Sequence, residues 1–275
     1  MWDALQFEFM RNALLAGVLV SISCGIIGSL VVANRLVFLS GGIAHAAFGG
    51  IGLALYLGFS PALGAALFSV AVSMIMGGVS LKSKHRADTI IGVLWAVGMA
   101  LGIILIDLTP GYNVDPMSYL FGSILSVSKA DIWFTVALDV VIFLIILAFY
   151  REFLAMSYDE EFAFVVGVPV RFLYFLLLCM TALSIVMIIR VVGLILVIAL
   201  LTIPPYIAEK YTNSLWKMMV LSSLLGILFT LVGLWLSYSY DFTSGATIIL
   251  VAGVAFFLTQ IIHSINGRTL QAHRR

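Results

Sequence analysis

Apolar residues run through this chain in long unbroken stretches separated by short polar breaks. Each stretch is about 20 residues long, the length an α-helix needs to cross the hydrocarbon of a bilayer. Barrel strands would alternate in polarity over shorter segments, and these runs do not. Lipid offers the backbone no hydrogen-bond partner, so spans of this kind must be helices. The pattern predicts nine of them, over 12–33, 36–58, 61–81, 89–107, 131–150, 172–190, 192–208, 215–238 and 245–264. The apolar segment 116–126 is too short to cross and predicts a re-entrant or interfacial helix. The expected fold class is all-α, a polytopic integral membrane helical bundle. Residues 1–275 form a single transmembrane domain with no Ser-rich or Pro-rich linker.

Composition agrees. Hydrophobic residues make up 63% of the 275 and charged residues only 10%, against roughly 25% in an ordinary soluble domain. So few charges could not solvate a soluble chain of this size. A net charge of +1 argues against nucleic acid or another polyanionic partner. Cys24 and Cys179 lie inside apolar runs and read as small buried hydrophobes.

Orientation follows from the basic residues. With the N-terminus outside and the C-terminus in the cytoplasm, cytoplasmic segments hold eleven of the fourteen Lys and Arg residues. The outer side keeps Arg11, Lys129 and Arg190, and it gathers Asp107, Asp115 and Asp241. An acidic outer face would favour cations, although acids also persist simply where basic residues are excluded. The longest cytoplasmic connection is 151–171. Ser157 with Glu160 fits a capping box, so a short helix is expected from about Tyr158, with Gly167 and Pro169 as its stop. That helix carries Asp159, Glu160 and Glu161 beside Phe162, Phe164 and Val165. Three clustered acids disfavour an anionic lipid surface and favour docking to a soluble partner.

An ionisable group deep in lipid costs at least ~2.5–3.5 kcal/mol, which makes it a functional candidate. His45 lies close to residue 47, the midpoint of the second span. Gly41, Gly42, Gly49 and Gly50 surround it and predict a broken helix, with backbone exposed to a cavity. Imidazole suits zinc, manganese and iron, so His45 is a candidate for metal passage, alone or with Asp139 of the fifth span. The competing reading is that His45 hydrogen-bonds across a helix contact that the glycines bring close. Asp139 itself can carry protons or accept a structural hydrogen bond. The pair Gly98 and Gly102 has helix-contact spacing. No P-loop, zinc-protease or nucleophile-elbow motif occurs. The expectation is a non-enzyme with no cofactor of its own, any ATP being used by another subunit.

The chain resembles the permease subunits of bacterial manganese/zinc/iron ABC importers. The likeness rests on Ser40 through Leu53 around His45, on Asp88 through Gly92, and on Pro116 through Gly122. It continues through Asp159 to Ala163 with Gly167, and ends on Val192 through Pro204. It implies a homodimer in the plasma membrane of a prokaryote, with a path near the two-fold axis. It also implies cytosolic ABC ATPases on the loop around 157–168 and an extracytoplasmic metal-binding protein outside. The cargo would be a divalent transition metal moved by alternating access. Two departures stand out. Many members carry an Asp where this chain has Gly41, and some zinc-type members carry a His near the place of Ala96. A chelated metal is therefore an alternative cargo. A secondary proton-coupled transporter using Asp139 and His45 is an alternative class. An intramembrane enzyme ranks last, because no second catalytic group stands at credible spacing from His45.

Overall fold

A computed structural model describes residues 6–82, 87–110, 124 and 127–272. All described regular structure is helical. The helices are α1 (Glu8–Ala33), α2 (Val37–Leu57), α3 (Pro61–Lys82), α4 (Ala87–Asp107), α5 (Lys129–Ala148), α6 (Tyr150–Tyr158), α7 (Glu160–Val165), α8 (Val170–Val192), α9 (Leu194–Tyr211), α10 (Leu215–Tyr240) and α11 (Ser244–Ala272). Among the described residues nine helices are long and apolar enough to cross a membrane, with mean hydropathy from 1.5 to 2.6. They fall on the nine predicted spans. The segment 116–126, apart from Ile124, and Asp115 lie outside the described residues.

Local chemistry sets the ends. Ser128 caps α5: its hydroxyl accepts from the Asp131 amide at 3.2 Å, and the Asp131 carboxylate accepts from the Ser128 amide at 3.3 Å. Ser214 caps α10 by accepting from the Lys217 amide. Gly193 alone separates α8 from α9, with φ 84° and ψ 166°. That region is essentially closed to any residue with a Cβ, so a single glycine ends one span and starts the next.

The bundle has two packing groups. In one, α2 lies between α3 and α4, and α8 packs against α3. In the other, α1 lies against α9 and α10, and α11 covers α9 and α10. Helix α5 rests on the side of α1. Helices α1, α2 and α8 are the most buried, whereas α4, α5 and α11 are largely uncovered. Lipid tails are as apolar as leucine, so burial alone does not hold such helices together. Close van der Waals contact must do it.

The glycines supply that contact. A methyl on Gly98 would lie 2.9 Å from Ala46 Cα, and one on Gly49 would lie 2.8 Å from the Gly98 carbonyl oxygen. On Gly102 it would strike the Phe48 carbonyl, and on Gly52 the Gly102 backbone. On Gly50 it would strike the Gly64 carbonyl of α3. Polar side chains inside the bundle mostly satisfy themselves on backbone of the preceding turn: Ser21 on Gly17, Ser29 on Gly25 and Thr181 on Leu177.

Gly102→Ala should therefore push α4 off α2 and cost about 1–3 kcal/mol. Gly78 has open space where its Cβ would be, so Gly78→Ala should be neutral or gain about 0.5–1 kcal/mol. Thermal unfolding of the two purified variants measures the opposite signs.

Candidate functional site

Helix α2 is continuous from Val37 to Leu57, which corrects the expected break at Gly41, Gly42, Gly49 and Gly50. The physical reason is packing. Glycine's low helix propensity is outweighed by the backbone contact it allows with α3 and α4. Gly42 faces Ile91 and Met76, while Gly49 and Gly50 face neighbouring backbone. Gly41 is the exception: it is buried, yet nothing lies within 4 Å of where its Cβ would be. That vacant volume sits one helical turn before His45.

The His45 ring is partly exposed on α2. Its Nδ1 lies 2.9 Å from the Gly41 carbonyl oxygen. A carbonyl can only accept, so Nδ1 carries the proton. In the neutral ring, Nε2 then keeps its lone pair. On one face the imidazole stacks on the Trp95 indole, with centroids 3.9 Å apart and planes 31° apart. Phe38 touches the same indole at 6.4 Å. No group of three or more His, Cys, Asp or Glu side chains gathers among the described residues. The described side chains around His45 thus offer a single imidazole nitrogen as a donor atom.

Trp95 escaped the sequence reading, which looked one position further on, at Ala96. The signal was present in Gly98 and Gly102. Their contacts with Ala46 and Phe48 run in the same order along both helices, and that register puts the residue one turn before Gly98 beside position 45.

Asp139 is not brought to His45. Its carboxylate accepts a hydrogen bond from the Ser23 hydroxyl of α1. Its other oxygen has no partner among the described residues. It borders a 260 Å³ apolar cavity between α1 and α5, lined by Leu19, Ile22, Val136 and Val140 among others.

In the 151–171 connection the predicted short helix exists with a different start. Asp159, not Ser157, caps it, its carboxylate accepting from the Phe162 amide at 2.9 Å. Ser157 lies in the last turn of the preceding helix α6 and accepts from the Asn34 side chain at 2.9 Å. The shorter Asp159 cap wins because Asn34 engages the serine hydroxyl. Gly167, with φ 88°, closes α7: its amide donates to Phe164, and the Val168 amide donates to Ala163. Ala163, Phe153 and Met156 anchor the segment in the bundle. Phe162, Phe164 and Val165 point away from it and are 61–81% exposed, beside Glu160 and Glu161.

At the opposite face Asp107 ends α4, and Asp241 caps α10 in the left-handed region at φ 58°. Asp131, near the same end of the bundle, is engaged by Ser128. Glu8 and Lys129 form an exposed ion pair at 2.8 Å, a contact of little energetic weight.

The chain belongs to the ABC 3 transport family, whose model matches residues 6–263; it is the membrane-spanning permease of an ABC transport system and not an enzyme. It is 52% identical over 259 residues to a membrane protein of Synechocystis sp., covering 94% of this chain and 92% of the relative. It is 35% identical to the manganese transport system membrane protein MntC of Listeria monocytogenes, covering 92% and 90%. The structure of PsaBC from Streptococcus pneumoniae, solved with a Fab, superposes with a TM-score of 0.85 at 34% identity, covering 94% of this chain and 93% of that one.

Because asparagine preserves the oxygen that accepts from Ser23, Asp139→Asn is expected to retain uptake of cargo driven by the assembled transporter. Vesicle uptake with and without an imposed pH gradient checks this. Loss of uptake in Asp139→Asn would restore a proton-carrying role.

Proposed function

We propose that this chain carries a divalent transition-metal cation, with manganese the leading candidate over zinc and iron, across the plasma membrane into the cytoplasm. The observation that carries the reading is the partly exposed His45 ring: its tautomer is set by Gly41, its Nε2 has no partner among the described residues, and open space lies beside Gly41. Manganese takes first place because MntC of Listeria monocytogenes and ScaB of Streptococcus parasanguinis are described as manganese transport proteins, at 35% and 34% identity.

The driving force comes from outside the chain. An ABC ATPase docks on α7, where Phe162, Phe164 and Val165 offer an apolar knob rimmed by Asp159, Glu160 and Glu161. A complementary partner surface is an apolar groove with basic edges. The knob cannot move independently, because Ala163 is buried beneath it and α6 is tied to α1 through Asn34 and Ser157. Motion of the ATPase is thereby delivered to α1 and the core. A second permease copy faces this one across the path, and an extracytoplasmic metal-binding protein delivers the cation to the face bearing Asp107 and Asp241. ATP-driven closure at α7 opens the inner mouth while the outer one shuts. A secondary, proton-coupled mechanism is less favoured because Asp139 engages Ser23 and not His45.

Two outcomes test the reading. His45→Ala should abolish ATP-dependent radioactive manganese uptake in proteoliposomes while insertion and assembly with the ATPase stay normal. Wild-type uptake by that variant would return His45 to a packing role. Phe162→Asp with Val165→Asp should abolish co-purification of the ATPase without lowering the permease's own thermal stability, since both side chains project from the bundle.

A further inference from the structure

We infer that Trp95 is the residue that tunes how firmly the passage holds its cation, an inference that rests on the reading of His45 as the metal ligand. Trp95 does not coordinate. It acts through the imidazole, so it is a positioning residue.

Three observations converge. The indole covers one face of His45 at 3.9 Å, which confines an incoming cation to the open Nε2 edge. The Nδ1 proton is held by Gly41 at 2.9 Å, so the ring cannot swing to present its other nitrogen. The α2–α4 contact at Gly98 and Gly102 fixes the distance between the two rings through backbone, not through adjustable side chains. The stack is therefore built in advance of metal arrival.

Its effect differs between the empty and loaded states. The empty ring is neutral, and two neutral rings at this separation attract weakly. When a divalent cation takes the Nε2 lone pair, electron density is drawn from the imidazole and the ring becomes positive. The indole face beneath it is the strongest cation-attracting surface among the side chains. The Nδ1–H bond to Gly41 strengthens for the same reason. Trp95 thus favours the loaded ring specifically, and that compensates for a site with few ligands. Because the indole covers a face of the ring and leaves the Nε2 edge open, the cation is held there without being enclosed.

The graded test replaces the indole by surfaces of falling π strength. In the complete transporter with its ATPase, Trp95→Phe should raise the KM for manganese modestly. Trp95→Leu should raise it by about tenfold, between the ranges of an exposed and a desolvated cation–π contact, as suits a partly exposed ring. The maximal rate should stay near wild type in both. KM unchanged in both variants, with His45→Ala still inactive, overturns the role of Trp95 and leaves the proposed function standing. A fall in maximal rate at constant KM also overturns it, as a purely structural contact. Full uptake in His45→Ala overturns the proposed function itself, and this inference with it. If Trp95→Leu does not assemble, fluorescence of wild type against Trp95→Phe decides. Manganese is paramagnetic and should quench the emission that the Phe variant lacks, and His45→Ala should remove that quenching. Identical quenching in wild type and the Phe variant overturns the inference.

Discussion

Helices α2 and α4 meet backbone to backbone, and this contact sets the geometry of everything at the site. No water is expelled from between two helices already in lipid, so association depends on how closely their atoms approach. Gly49 and Gly52 of α2 and Gly98 and Gly102 of α4 remove the side chains that would hold the axes apart. The interlocked register brings Trp95 to His45, seats Gly42 on Ile91, and leaves the space beside Gly41 unfilled. Glycines that looked like points of weakness along one helix are the points of tightest contact between two.

Span count, span limits and helical class were legible because lipid imposes a constraint that sequence displays directly: long apolar runs with polar breaks. The His45 position was legible for the same reason, since an imidazole in such a run stands out. The continuity of α2 was not. Helix propensity is a local quantity, and the compensation at Gly49 and Gly50 comes from other helices, through Gly98, Gly64 and Phe68. Trp95 was hidden by its ordinariness as an aromatic on an apolar helix; only its register relative to Gly98 distinguishes it. The cap of α7 was missed because Ser157 and Asp159 are both good caps, and the choice between them is made by Asn34, more than a hundred residues earlier.

The knob and the core divide the labour. In the 151–171 connection the chain builds a rigid knob, with Asp159 and Gly167 closing a helix of under two turns and Ala163 pinning it to the bundle. Its exposed aromatic and aliphatic side chains suit a partner that supplies force. Within the bundle, His45 offers one imidazole nitrogen, and no set of acidic or sulfur ligands gathers among the described residues. A rich ligand set would hold a cation strongly and release it slowly. One nitrogen backed by an aromatic face suits brief residence, with selectivity left to whatever delivers the ion.

The central claim is that His45 Nε2 binds the cation in transit. Pulsed electron spin resonance of manganese bound to the assembled transporter, with histidine nitrogens isotopically labelled, reads that bond directly. A nitrogen coupling that changes with the label and vanishes in His45→Gln is the expected result. Manganese coupled only to oxygen in the wild-type protein would contradict the account.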